Sequence, residues 1–223
     1  MIEHFDLHVE LEPHRNCILN GTIPSTIGNW NGPITIDWSG HALSGTLPDS
    51  MMNWKVHRLQ KFQMNSNEME GSIPSFVVTW LNLTHIEMNY NHITGTIPEQ
   101  IGNMYQLREF EFQGNQLHGT LPSSLQNLSQ MEIFSVGENM LTGTIPNGIA
   151  STWTNLRYAA FYQNPLDDNT ISETICTEWN HTAPADYIYK NNESYTATFS
   201  LWIEIDCNNT AVEDRCSCCD CVL

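Results

Sequence analysis

Apolar and polar positions repeat along most of this chain with a period near 24 residues. In the clearest copies an apolar residue stands twelve, nine, seven and two positions before a glycine, and an asparagine stands four before it. Leu83, Ile86, Met88, Asn91 and Ile93 precede Gly95 in this way, and Leu107, Phe110, Phe112, Asn115 and Leu117 precede Gly119. The repeat glycines are Gly21, Gly45, Gly71, Gly95, Gly119 and Gly143, so successive steps are 24, 26, 24, 24 and 24 residues. A fixed period of this length marks a solenoid, in which each unit buries its apolar face against its neighbours.

Each copy predicts a short strand, a sharp turn at the Asn, a second extended piece at G-T-I-P, and a helical or irregular return over the convex side. Coils stacked about 4.8 Å apart turn the first strands into a parallel sheet. The return has its own apolar ladder. Ile27, Met51, Val77, Ile101, Leu125 and Ile149 stand six after each glycine. Trp30, Trp54, Trp80, Met104 and Leu128 stand nine after, with Trp153 displaced by one. Their shared register with Met104 and Leu128 makes these tryptophans core residues, not a carbohydrate-stacking row. Asn67, Asn91, Asn115, Asn139 and Asn164 form a ladder inside the turns, where an amide can donate and accept at once. His41 replaces Asn in one copy, which should be looser. The longer step places two extra residues within Lys55 to Leu59, on the convex return. Thr22, Thr46, Ser72, Thr96, Thr120 and Thr144 follow the glycines as a hydroxyl column that suits the strand structurally.

These residues resemble the leucine-rich repeat, and the continuation G-T-I-P, G-T-L-P or G-S-I-P resembles the plant-type subclass of receptor-like ectodomains and polygalacturonase-inhibiting proteins. The resemblance covers roughly residues 17–166. It implies an α/β solenoid, a right-handed superhelix with a concave parallel sheet, second short strands at G-T-I-P and an irregular or helical convex side. It further implies function on the outward positions of the first strands.

The ends differ from the repeats. Residues 1–32 read as an edge strand, with Phe5, Leu7, Val9 and Leu11 alternating, followed by a degraded first repeat with Cys17 at the Asn position. Cys17 reads as a buried free thiol or as the partner of a missing cysteine. Residues 33–166 are the repeats proper. Residues 167–223 read as a cysteine-rich cap, because a terminal repeat needs a cover for its apolar edge. Within it Phe199, Leu201, Ile203 and Ile205 alternate as a strand should. Cys176, Cys207, Cys216, Cys218, Cys219 and Cys221 make an even set of six with 15 possible pairings. The run CSCCDC resembles the caps of secreted leucine-rich repeat proteins from stramenopile algae. Disulfides are the first reading, and a soft-metal thiolate site the second.

Composition narrows the partners. Eight Lys and Arg against 25 Asp and Glu give a net charge of −17, which repels phosphate backbones and anionic membranes. No segment has the run of about 18 apolar residues that spans a bilayer. The start MIEHFDLHVELEPH lacks the features of a signal peptide, yet the cysteines and six N-x-S/T sequons, at Asn20, Asn82, Asn127, Asn180, Asn192 and Asn208, favour secretion. An extracellular or cell-surface protein with a truncated start is expected.

The outward positions supply the candidate site: Lys61, His85, Glu109 and Tyr158 in one row, Gln63, Glu87 and Glu111 in the next, Asn65, Asn89, Gln113 and Tyr162 in the third, with Tyr90 nearby. Acidic residues beside amides and tyrosines suit a partner with basic or hydroxyl-rich groups. Glu87 and Glu111 invite comparison with a glycosidase pair, but exposed strand positions should lack the buried cleft that sets two carboxyl groups apart. His4, His8 and His14 show no regular ligand spacing, and no catalytic triad, phosphate loop, kinase or zinc motif occurs. No cofactor or metal is expected. The expected function is noncatalytic recognition of a protein, peptide or glycan, the alternatives being inhibition of a secreted polysaccharide hydrolase and a structural surface role.

Overall fold

A computed structural model describes residues 18–30, 33–54 and 58–166, together with the backbone strands Trp202–Asp206 and Asp220–Val222. The period-two pattern becomes the first strand of each coil: Thr35–Asp37, Lys61–Gln63, His85–Glu87, Glu109–Glu111, Ile133–Ser135 and Tyr158–Ala160. These strands pair in parallel, with Ile36, Phe62, Ile86, Phe110, Phe134 and Ala159 in register and buried. The sheet continues past the last recognisable repeat. Trp202–Asp206 lies beside Tyr158–Ala160 and Asp220–Val222 beyond it, both parallel, giving eight strands. The alternating pattern around Ile203 and Ile205 therefore forms a strand that extends the ladder. The expected strand around Phe5 to Leu11, Cys17, and Cys176, Cys207, Cys216, Cys218 and Cys219 lie outside the described residues; Cys221 falls on the last strand.

The second strands, Asn20–Thr22, Ala42–Gly45, Glu68–Ser72 and His92–Thr94, form one parallel sheet, and His118–Thr120 with Met140–Thr142 a smaller one. They lie a few residues earlier than the whole of G-T-I-P, closing at or near the glycine. The proline that follows has no N–H to give a ladder, while the residue between, such as Ile97 or Ile145, turns into the core.

The repeat glycine has two reasons to be glycine. Its φ lies between +73° and +84° in all six copies, a region that L side chains rarely adopt. A Cβ on Gly71 would also stand 2.8 Å from the Thr46 methyl of the coil below, and one on Gly119 would stand 2.9 Å from that of Thr96. The hydroxyl column is thus a packing device, each small residue filling the slot left by the next glycine.

The convex return runs through 3₁₀ turns at Ser25–Asn29, Asp49–Asn53, Val77–Thr79, Glu99–Asn103 and Ser123–Asn127, and one α turn at Ile149–Thr152. Pro24, Pro48, Pro98 and Pro122 precede four of them and preset the backbone for the first turn. Ile27, Met51, Val77, Ile101, Leu125 and Ile149 are all buried. Trp54 and Trp80 stack with ring centres 5.8 Å apart, and the Trp54 and Trp153 indole N–H groups donate to the Ile27 and Leu125 carbonyls of the preceding coil at 2.8 and 3.0 Å. Trp30 corrects the expectation of a wholly buried row: it is 40% exposed and meets Trp38 edge-on. It stands in the first described coil, and among the described residues no earlier coil stacks over it. Residues 55–57, in the longer step, lie outside the description.

Candidate functional site

The turn asparagines fix the strand ends from which the outward side chains project. Each one accepts from a second-strand N–H of the coil below: Asn67 from Leu43, Asn91 from Met69, Asn115 from Ile93, Asn139 from Leu117 and Asn164 from Leu141, all within 2.8–3.0 Å. Each also donates to a carbonyl of the coil below and to one of its own turn. Asn115, for example, reaches Met88 O at 2.9 Å and Phe112 O at 3.0 Å. His41 keeps only part of this role, since its Nδ1 accepts from Leu19 N–H at 3.4 Å. That longer contact is the looseness expected of this copy.

On the opposite side of the same strands the in-register pairing Lys61, His85, Glu109 and Gln63, Glu87, Glu111 holds as expected. A second amide network spans the face. Gln63 Nε2 and Asn65 Nδ2 each donate to a Glu87 oxygen at 2.7 Å, and Asn89 Nδ2 donates to Glu111 at 2.9 Å. The Asn65 and Asn89 side-chain oxygens accept from the Asn89 and Gln113 backbone N–H groups at 2.9 and 2.8 Å. So Asn65, Asn89 and Gln113 climb from coil to coil like the buried column, two residues away and on the outer side.

Glu87, Glu109 and Glu111 converge: one oxygen from each lies within 4.8 Å of the others. Among the described residues this is the group able to share a single cationic centre. Glu87 is only 9% exposed. Burial pushes the Glu111 carboxyl up to about 7, with the charges of Glu87 and Glu109 adding and the Asn89 hydrogen bond opposing. Burial acts on Glu109 in the same sense, but His85, by hydrogen bond and charge, together with Lys61 and Arg157, holds it below the usual carboxylate value. Here the structure corrects the sequence expectation. The strand positions are not freely exposed, and their environments do set neighbouring carboxyl groups apart.

Around this centre lie His85, already placed in the first outward row, and charged residues that the repeat pattern did not single out. His85 Nε2 stands 3.4 Å from Glu109, and Arg108 and Arg157 pair with Glu132 at 2.9 and 2.6 Å along the rim. Toward the C-terminal coils Gln113 Nε2 donates to the Tyr90 hydroxyl at 2.7 Å, to Glu138 at 2.9 Å and to the Tyr162 hydroxyl. Tyr162 in turn donates to Glu138 at 2.9 Å. The structure therefore gathers Gln63, Asn65, Glu87, Asn89, Glu109 and Glu111 into one cluster and Tyr90, Gln113 and Tyr162 into another, while Tyr158 stands in the row beside Ile133. Ser135 and Ala160, which continue the row of Glu87 and Glu111, are buried; Ser135 donates to Gln113. Glu132, Glu138 and Arg157 were missed because they flank the strands, where positions recur from coil to coil but residue types do not. Asn20, Asn82 and Asn127 are exposed, and Asn180, Asn192 and Asn208 lie outside the described residues.

Residues 82–104 and 106–128 match the Leucine Rich Repeat family. No curated protein sequence matches the chain. Among solved structures, the PEPR1-AtPEP1 complex is 32% identical with a TM-score of 0.67, covering 75% of this chain and 23% of its own. A TDR receptor is 26% identical with a TM-score of 0.67, covering 75% and 28%. The Arabidopsis receptor kinase HAESA, in complex with the peptide hormone IDA and the co-receptor SERK1, is 25% identical with a TM-score of 0.55, covering 67% and 28%. The chain thus spans about a quarter of the length of these receptors. It is a plant-type leucine-rich repeat solenoid, similar to receptor ectodomains. Among the described residues no helix is long and apolar enough to cross a membrane.

Proposed function

We propose that this chain is a noncatalytic extracellular recognition module that takes a peptide on the outward face of its first strands, with a lysine or arginine of that peptide seated on Glu87, Glu109 and Glu111. The observation that carries the reading is the convergence of these three carboxylates on two paired strands, held by amides from neighbouring coils. A charged centre fixed in advance loses little side-chain freedom when a partner arrives. An ammonium or guanidinium group would relieve the repulsion among the three. Likeness to a receptor solved with a peptide hormone supports the peptide class, although fold alone does not choose a ligand. In this reading residues 167–223 close the C-terminal end of the solenoid. A peptide array probed with the wild type and with Glu87→Lys/Glu111→Lys tests it. The wild type should select peptides rich in Lys and Arg and the double variant should lose that selection; identical profiles would remove the carboxylate centre from recognition.

A further inference from the structure

The residue before each turn asparagine, or before His41, takes left-handed backbone: Gly40, Ser66, Tyr90, Gly114, Glu138 and Gln163. Glycine suits this position, and small or polar residues are tolerated there. Tyr90, at φ +55°, is the aromatic exception. A bulky residue so placed costs stability, and such strain concentrates where function requires a side chain. Gly137 raises the complementary point. It is not among the left-handed residues, so its backbone does not demand glycine, yet a Cβ there would stand 2.7 Å from Cε1 of Tyr162. Gly114 likewise leaves room for Tyr90, whose Cδ1 would be 2.5 Å from a Cβ. Two glycines therefore act as floors for two tyrosine rings whose hydroxyls meet at Gln113 beside Glu138.

We propose that Tyr90 and Tyr162 form a stacking platform for a neutral oligosaccharide of β-linked pyranose units, separate from the carboxylate centre and independent of the peptide reading. A pyranose with equatorial hydroxyls presents apolar C–H faces that pack on aromatic rings, while its rim needs donors and acceptors; Gln113, Glu138 and the phenol hydroxyls supply them. Tyr90 remains 52% exposed even with its ring set against Gly114. Both hydroxyls sit at the Gln113 amide, so the two rings, one over Gly114 and the other over Gly137, meet at their tips and form one continuous surface two rings long, which fits more than one sugar unit. Charge selects among polysaccharides. Glu138 at the platform and a net charge of −17 disfavour uronates and leave neutral chains as the matching class.

Saturation-transfer NMR and calorimetry with cellohexaose, and with oligogalacturonate as the charged counterpart, test the proposal. The full chain should bind cellohexaose and not oligogalacturonate. Tyr90→Asn, which suits left-handed backbone, should weaken binding about tenfold or more. Gly137→Ala, which displaces the Tyr162 ring without altering the Tyr90 backbone, should do the same, and melting curves for both identify a folding failure. Glu87→Lys/Glu111→Lys should keep cellohexaose binding whatever its peptide profile, so either reading can fail alone. Absence of cellohexaose binding at millimolar concentration, or equal binding by the folded Tyr90→Asn and Gly137→Ala variants, overturns the platform. Loss of peptide selection in Tyr90→Asn without saccharide binding by the wild type would assign the rings to the peptide instead, and overturns it as well.

Discussion

Two amide columns climb this solenoid only two residues apart, and they differ in nearly everything but chemistry. Asn91 and Asn115 sit inside the turns, almost out of water, and spend their hydrogen bonds on backbone groups of two coils. Asn65 and Asn89 lie on the outer face and divide theirs between one backbone N–H and side chains that a ligand could also reach, and the Gln113 amide at the end of the column serves side chains. The same functional group serves as architecture where water is excluded, and as an adjustable support where it is not. What separates the two roles is whether the backbone group it serves has any other partner available.

Breaking the inner column should therefore cost far more than breaking the outer one. Asn115→Leu leaves Ile93 N–H and the Met88 and Phe112 carbonyls without this partner in a buried setting. The two carbonyls keep Asn91 and Asn139 as donors, so at about 1–3 kcal/mol for the unpaired N–H and about 1 kcal/mol for each lost bond, the domain should lose roughly 3 kcal/mol or more. Denaturant melts would show it, and an unchanged midpoint would mean that the inner column is dispensable and the contrast false.

A second test uses protons. Free Glu titrates near 4.5, whereas burial holds folded Glu111 near 7. Between these values the folded state binds the proton more tightly, so Glu111 favours the fold below about pH 4.5, and that contribution is lost as pH rises to 7. Glu109 runs the other way: its lowered value contributes stability above the usual carboxylate range and loses it in acid. Because water still reaches Glu111, the decline should be about 2 kcal/mol, less than the roughly 3.4 kcal/mol that the full 1.4 kcal/mol per pH unit would give over this interval. Glu111→Gln should flatten the stability profile between pH 5 and 7. A variant that keeps the wild-type slope would show that the outer face carries no strained charge.

The inner architecture was legible in the sequence because it repeats. Buried positions, turn asparagines and repeat glycines each have one acceptable residue type, so the columns Ile86, Phe110, Phe134 and Asn91, Asn115, Asn139 could be aligned before any coordinate was known. The outward rows were legible as positions, since strand geometry fixes alternation, but not as an environment. Nothing in the spacing says that Gln63 and Asn65 close on Glu87, or that Glu138 and Arg157 lean in from flanking turns. The Tyr162 ring over Gly137 pairs residues from different coils whose identities do not recur. Trp30 shows the reverse error, in which a periodic position in the first described coil is 40% exposed and meets Trp38 edge-on.

The outer column should prove soft when cut. Asn89→Leu removes one hydrogen bond to Glu111 and one from Gln113 N–H, both on a face where water can substitute. The expected loss is about 1 kcal/mol or less, well under that of Asn115→Leu. Its clearer effect should be electrostatic. Without the Asn89 donor, which favours the ionised form, the Glu111 carboxyl should titrate higher than about 7. Carbon-detected NMR titration would measure the displacement, and a value that stays put would place the support of Glu111 elsewhere.

The smallest effect, and the sharpest comparison, lies at position 41, where the inner column is already incomplete. His41 accepts from Leu19 N–H, but among the described residues its other ring nitrogen does not reach the turn carbonyls that an asparagine amide serves. Its contact, at 3.4 Å, is longer than the 2.8–3.0 Å of the five asparagines. If the column works through the dual character of the amide, His41→Asn should stabilise the N-terminal coils by about 0.5–1 kcal/mol, read as slower amide hydrogen exchange at Leu19 and its neighbours in that coil. Unchanged exchange would mean that the amide gains its effect only when coils stack on both sides of it, and that the inner column is a collective property of the middle of the solenoid.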